Sequence, residues 1–574
     1  MSTTIYFIKK HYFAIIIICA IVVKHIITIN LPIIARDPIG ADEYLMMYQA
    51  EQLADGNYLG PYNYLTLVKG IGFPVFLALS YKIGVPLLSL FSIFYAITCL
   101  VALIPIRRII KKPSLQLLAF LLLLFCPATM DYNVQLIYRN MLIIPQSILL
   151  VSSLMMVFYH INDRTMNGLV FWTSIVSFAW IFMWHTREDT IWSLPLMLVV
   201  WTISIISIIK YSKKSESPRK QSFKKCAIIT SPFLVLFASI QAISFINYKS
   251  YGIYTTNQLN SSNYTKAVML MMKVKPTQEV ERVEITRDTL LKLYEISPSL
   301  ATLKNAIEYD YENNTGLVLA HEDNGEINED LITWELTGAA SSQGYYQDAQ
   351  TAEKFWGDVY AEIKQAIDNN RLETRATLPS RSLIPWPNQP DSLDKLMVSF
   401  YTLFIHAAEY AGDAVSVDIA TIDEDIIRRY EAISSGYAVR NPINTDAIGI
   451  KATRWVTWAH RIKKIYKSLG IVTLVVSLLY YGYSTIILII KLLRKQKANF
   501  HKWLFLSMAL GGATAILAGL SYVNAFMVNV SGYLSSCNGL LNLFFTLSIT
   551  LIIQDVINRV NSLHKTPRYT SLLE

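Results

Sequence analysis

Directly after an apolar run at about residues 12–34, the stretch Arg36–Lys69 carries four acids, Asp37, Asp42, Glu43 and Glu51, and ends on Lys69 beside Gly70-Ile71-Gly72. Asp131, Arg139 and the cluster Arg187-Glu188-Asp189 stand in the same kind of position, at the ends of later apolar runs. Ionisable groups at the apolar edge of a membrane are costly to keep there, which marks them as functional candidates. Carboxylates gathered with Lys69, Arg139 and Arg187 on one face fit acid–base chemistry beside a phosphate. The acids can move a proton, and cations at helix starts can hold an anion, helped by the partial positive charge of the helix N-terminus.

For these residues to meet, the chain must cross a membrane repeatedly and return them to one side. Its 574 residues are 53% hydrophobic and 16% charged, and several runs exceed the ~18 apolar residues needed to cross roughly 30 Å of hydrocarbon. An all-α polytopic membrane protein follows. Ten spans, at about 12–34, 86–105, 114–130, 141–159, 168–184, 190–209, 226–247, 468–491, 503–525 and 534–555, put every strongly basic short loop on one face. The positive-inside rule makes that face cytoplasmic. Both termini then lie in the cytoplasm, and the candidate residues lie outside. Three modules result: an N-terminal transmembrane module (1–247, spans 1–7, first outer loop 35–85), a mostly helical extracytoplasmic domain (248–464), and a C-terminal transmembrane module with cytoplasmic tail (465–574, spans 8–10).

The first outer loop predicts two helices too short to span. One runs from Glu43 to about Asp55, with Asp42 as N-cap and Gly56 as the left-handed residue that closes it. The other runs from Gly72 to Ile83. Both are expected along the interface. In the outer domain, 286–296, 350–367 and 392–411 show helical apolar spacing, and Pro385, Pro387 and Pro390 mark a loop. The 392–411 segment is apolar enough to touch the bilayer.

Other chemistry finds no support. The formal charge of +9 sits mostly in loops flanking the spans, so no nucleic-acid partner is implied. The five cysteines fall in or beside apolar runs, leaving the polar region no disulfide framework. No Walker loop, Rossmann fingerprint, HExxH, paired Cys–His spacing or GxSxG elbow occurs. His185 is a lone histidine at a span end. Structural alternatives stand beside the functional ones: Asp42 as a helix cap alone, Lys69 and Arg139 snorkelling to headgroups, Glu188 and Asp189 neutralising Arg187.

With these residues assembled, the chain resembles the GT-C superfamily of membrane glycosyltransferases, and within it the branch of aminoarabinose and protein O-mannosyl transferases. In that branch an Asp-Glu opens an interfacial helix in the first outer loop, and a lysine and a Pro/Gly-rich second helix follow. Here the matches are Asp42-Glu43 in GADEYLMMYQAEQLADG and Lys69 in KGIGFPVFLALSYKIG. Arg139 in IYRN and Arg187 in HTREDTIWSLP resemble the cations such enzymes place around a donor phosphate. The resemblance covers about the first 210 residues. The outer insertion departs from the compact C-terminal domain of many relatives, and NVSGYLSSCNG lacks an arginine often found before the last span.

The resemblance implies a GT-C-like bundle and a sugar donor on a polyprenyl phosphate, with a glycan, lipid or protein acceptor outside the membrane. It implies Asp42 as general base, and Glu43 as its support or as a group orienting the acceptor. Lys69, Arg139 and Arg187 would stabilise the departing phosphate, with Glu188 and Asp189 as possible acceptor or supporting groups. Transfer would invert the anomeric centre. No cofactor is required, although some relatives use a divalent metal. The setting would be a cell membrane, with bacterial residue usage. Two competitors remain: a polysaccharide polymerase or ligase, which more often relies on arginines in late outer loops, and a lipid or glycan transporter. A transporter predicts charges within spans, broken helices and repeats, whereas the spans here are nearly free of charge.

Overall fold

The structure is a computed structural model that describes residues 3–37, 42–161, 163, 165–214, 219–280, 283–313, 325–327, 331–375, 391–440, 446–496, 500–526 and 530–563. The described residues are helical, with isolated bridges at Ile33–Ala438, Asp131–Ala414 and Val274–Thr374 and no strands. Nine described helices are long and apolar enough to cross a membrane, which makes this a multi-pass membrane protein. The expected third span is instead the twelve-residue helix Pro113–Leu124, about 18 Å long. Pro127 ends it, because the residue before a proline is pushed out of the α region, and a 3-10 turn, Pro127–Met130, takes over.

Three apolar cores are stacked along the chain's architecture. The largest joins the membrane helices, centred on Asn140–His160, which is buried almost throughout. The second joins the two short helices Asp42–Asp55 and Gly72–Lys82 to the 130–142 turn, to Ile427, Tyr430 and Ile433, and to Val456 and Ala459. The third holds the outer helices from Tyr264 to Ile363. Both short helices fall where the spacing predicts, and Gly56 closes the first with φ +83°. The outer helices Arg287–Ile296 and Ala349–Asp368 also agree. The loop expected at Pro385, Pro387 and Pro390, like the tail beyond residue 563, lies outside the described residues.

Helix Ser392–Ala408 packs on the membrane helices Phe500–Phe526 and Ser535–Leu563, with Ser399 Oγ donating to the Ser521 carbonyl at 3.0 Å. Its other side leaves Leu393, Met397, Val398 and Tyr401 exposed. The end of the outer region and the eighth expected span fuse into one 47-residue helix, Ala447–Leu493. Gly470 permits the fusion to pack: a Cβ there would meet the Ala408 carbonyl oxygen at 2.3 Å. The spans also hold more charge than their apolar composition suggests. Lys24 is fully buried, donating to Thr28 Oγ1 at 3.1 Å and to the Thr129 carbonyl at 3.3 Å, and Lys502 pairs with Asp555 at 2.8 Å.

Candidate functional site

Asp42 opens the first juxtamembrane helix, and its carboxylate pairs with Lys69 Nζ at 2.7 Å. The Tyr138 hydroxyl donates to the same oxygen at 3.3 Å. Tyr138 comes from the turn between two apolar helices, next to Arg139, whose guanidinium lies 2.7 Å from Glu188. The second carboxylate oxygen of Glu188 accepts from the Gly70 backbone N–H at 2.8 Å. Arg187 holds Asp189 through two hydrogen bonds of 2.9 and 2.7 Å and donates to the Asn140 side chain. Its guanidinium covers the Tyr533 ring at 5.1 Å, and Tyr533 in turn packs edge-on against Tyr138. The structure therefore brings Asp42, Lys69, Arg139, Arg187, Glu188 and Asp189 together around Tyr138.

Glu43 sits beside Asp42 in sequence but faces a different environment. Its side chain is 3% exposed and pairs with Arg36 at 3.0 Å, whereas Asp42 is 30% exposed. Burial raises the Asp42 carboxyl, but the Lys69 and Arg139 charges and the hydrogen bonds from Lys69 and Tyr138 outweigh it and hold the group below the usual carboxylate range. Burial carries the Glu43 carboxyl above its usual range despite Arg36. Asp42 is the accessible, ionised acid, and Glu43 anchors the Arg36 segment. Asp37 accepts from Thr421 Oγ1 at 2.5 Å and stands apart from the cluster.

The scaffold around the cluster is tight. Gly72 donates its N–H to the His185 carbonyl at 2.6 Å. A Cβ on Gly70 would lie 2.4 Å from that oxygen, and one on Gly72 2.7 Å from Thr186 Oγ1. Only glycines let the Lys69 loop approach the Arg187 turn this closely. His185 points to Ser239 Oγ at 2.9 Å, and burial pushes its imidazole down to about 4, so it is neutral and turned to the bundle. The tyrosines between Gly56 and Lys69 tie the loop outward: Tyr58 to Asn247 at 2.7 Å, Tyr62 to Gln258 at 2.6 Å. Arg429 clamps Glu51 and Tyr44 from helix Glu424–Ser434.

Several participants were not singled out from the sequence. Trp334, from the outer helix Leu331–Ser342, places its ring 5.4 Å from Lys69 Nζ. Asn140 donates to Asn133 at 3.3 Å, and Asn133 donates to the Gly532 carbonyl at 3.0 Å and to Ser535 at 3.3 Å. Asp131 caps this turn through the Val134 N–H. Burial lifts its carboxyl to about 7. Arg139 Nε is buried and has no hydrogen-bond acceptor among the described residues, leaving one donor free for a ligand or water. Among the described residues no group of three His, Cys, Asp or Glu side chains is arranged to hold a metal ion.

No protein-family description matches the chain, and no curated protein matches it. Among solved structures, ArnT from Cupriavidus metallidurans in the apo state is 11% identical over 90% of this chain and 78% of that one, with a TM-score of 0.30. ArnT from the same organism bound to undecaprenyl phosphate is 12% identical over 98% of this chain and 82% of that one, with a TM-score of 0.29. Similarity at this level assigns no residue role.

Proposed function

We propose that the protein is an integral-membrane glycosyltransferase that moves a sugar from a polyprenyl-phosphate donor to an acceptor outside the membrane. The observation that carries this reading is the Lys69–Asp42 pair, set beside Arg139 and Arg187 at the edge of the membrane bundle. The Asp42 carboxylate is partly exposed, ionised and free to accept a proton beside an anionic leaving group, and the Lys69 and Arg139 charges keep its basicity low until a donor phosphate engages them. The acceptor hydroxyl attacks the anomeric carbon, its proton passes to Asp42, and the bond from that carbon to the phosphate oxygen breaks. The electron pair stays on the lipid phosphate, where Lys69, Arg139 and Arg187 stabilise it. Direct displacement inverts the anomeric centre.

Each cation is paired with a carboxylate when no donor is bound. A phosphate that draws Lys69 away from Asp42 removes the charge that depresses the carboxyl, so the base strengthens as the donor seats. Glu188 and Asp189 are the partners from which Arg139 and Arg187 are drawn. No metal is needed where these cations suffice. The candidate side lies outside the cytoplasm, and helix Pro113–Leu124 with the turn Pro127–Met130 completes the third crossing that brings both termini inside. The proposed module boundaries at about 247 and 465 fall within the continuous helices Arg219–Tyr251 and Ala447–Leu493, so the modules are joined through helices.

Asp42→Asn should lower transfer from a prenyl-linked sugar in membranes by ~10²–10⁴-fold, the usual contribution of a general base, while donor binding persists. Full activity in this variant and in Lys69→Ala would reject the assignment. Labelling of a cysteine placed at Gln350 from the outside of intact cells checks the sidedness independently.

A further inference from the structure

Outside the acid–cation cluster, the helix Ala447–Leu493 carries five outward cations on its first half, Lys451, Arg454, Arg461, Lys464 and Lys467, while a sixth, Lys463, turns inward to donate to the Gly412 carbonyl, and no acidic residue occurs along its length. All five cations are exposed. Among the described residues none is paired with a carboxylate, and Lys451, Arg454 and Arg461 instead rest over the rings of Tyr437, Trp455 and Trp458. The other side of this half is fixed: Val456 and Ala459 are buried in the juxtamembrane core, and His460 bonds the Val415 carbonyl at 2.6 Å. The cationic face cannot roll inward.

The same helix becomes apolar at Leu469 and remains uncharged through Ile490, a length of about 33 Å that matches the hydrocarbon core. Arg461, Lys464 and Lys467 therefore occupy the turns where the helix leaves the acyl region. Ile465 is 60% exposed and Leu469 56% exposed among them, with Trp458 one turn further out at 45%. A site for a soluble polyanion would surround its cations with polar groups. Cations alternating with exposed aliphatic and indole side chains match a lipid headgroup layer, with phosphate above and acyl chain below.

We infer that Arg461, Lys464 and Lys467, flanked by Trp458, Ile465 and Leu469, form a binding face for anionic phospholipid headgroups on the same side of the membrane as the Asp42 cluster. Lys451 and Arg454 extend the positive field outward. This face is independent of the catalytic reading, since it shares no residue with the cluster.

The test uses the full-length protein in detergent, titrated with phosphatidylglycerol or phosphatidylcholine of identical acyl chains, with bound lipid counted by native mass spectrometry. Phosphatidylglycerol should be retained ~3-fold or more over phosphatidylcholine, and the preference should weaken in salt. The triple variant Arg461→Gln/Lys464→Gln/Lys467→Gln should abolish it while keeping the melting temperature of the parent. A control variant at the other end of the helix, Lys491→Gln/Arg494→Gln/Lys495→Gln, should leave it in place. Equal retention of the two lipids, or a preference untouched by the first triple variant, overturns the inference. So does dextran sulfate displacing phosphatidylglycerol completely from the parent at equal charge, which would make the face a polyanion site.

Discussion

The Asp42 cluster and the basic half of helix Ala447–Leu493 use the same side chains for opposite ends. In the cluster Lys69, Arg139 and Arg187 each have a dedicated carboxylate, and Arg139 and Arg187 are nearly buried. On the helix the cations are exposed and lean on aromatic rings. A paired, buried cation has a fixed position and can be drawn to one ligand only by exchanging its partner. An exposed, unpaired cation costs nothing to approach and discriminates little between anions beyond their charge. The first arrangement suits a reaction centre, and the second suits a surface.

Matched substitutions in the two regions separate these cases. Arg139→Ala leaves the partly exposed Glu188 carboxylate with the Gly70 N–H as its remaining hydrogen-bond donor. Removing one member of a buried pair commonly costs 3–5 kcal/mol, and because Glu188 keeps that bond and is about a third exposed, ~2 kcal/mol is expected here. Arg461→Ala strands no partner and should stay within ~0.5 kcal/mol of the parent. Reversible unfolding in detergent measures both. Equal losses at the two sites would mean that pairing is not what distinguishes them.

Gly72→Ala probes the backbone that brings the cluster's two halves together. The new Cβ would meet Thr186 Oγ1 and the His185 carbonyl, the second of which is backbone and cannot swing away. The expected cost is ~1–2 kcal/mol of stability, with a fall in donor affinity as Lys69 moves off the Arg187 turn. An alanine at Gly482, in the apolar half of helix Ala447–Leu493, meets nothing within 4 Å and should be tolerated.

How much of this could be seen in the chain alone follows from the kind of signal each residue gives. Asp42, Lys69, Arg139 and Arg187 are legible because a charge at the edge of an apolar run is rare and needs a reason. The short helices are legible because Gly56 and Gly72 punctuate them. Tyr138, Tyr533 and Trp334 are not, since tyrosine and tryptophan at a membrane edge are ordinary and their roles arise from contacts across hundreds of residues. Asn140 is hidden for another reason: a neutral amide shows its importance only when a guanidinium is found against it. The pairing of Glu43 with Arg36 is equally hidden, because adjacent acids look alike until burial separates them.

The smallest effect is the most specific test of that separation. In the proposed role of base, Asp42 works ionised, so the rate should fall as pH drops through its pKa, and Lys69, Arg139 and Tyr138 place that fall below the usual carboxylate value of about 3.9. The same depression contributes stability that is present above the ordinary value and lost as acidification reaches the folded-state pKa. Tyr138→Phe removes only the 3.3 Å hydrogen bond to Asp42, so both the acid limb of the rate profile and the acid unfolding transition should move upward. Lys69→Gln should move them further in the same direction, because it removes a full charge at 2.7 Å. At neutral pH Asp42 stays ionised in Tyr138→Phe, and turnover should remain within ~3-fold of the parent, as loss of one long hydrogen bond permits. Triple substitution of Arg461, Lys464 and Lys467 should leave the acid limb where it is, since the Debye length of about 8 Å screens exposed charges on a separate face. A limb that follows those exposed cations instead of Tyr138 and Lys69 would show that the general field of the protein, and not the paired cluster, sets the charge on Asp42.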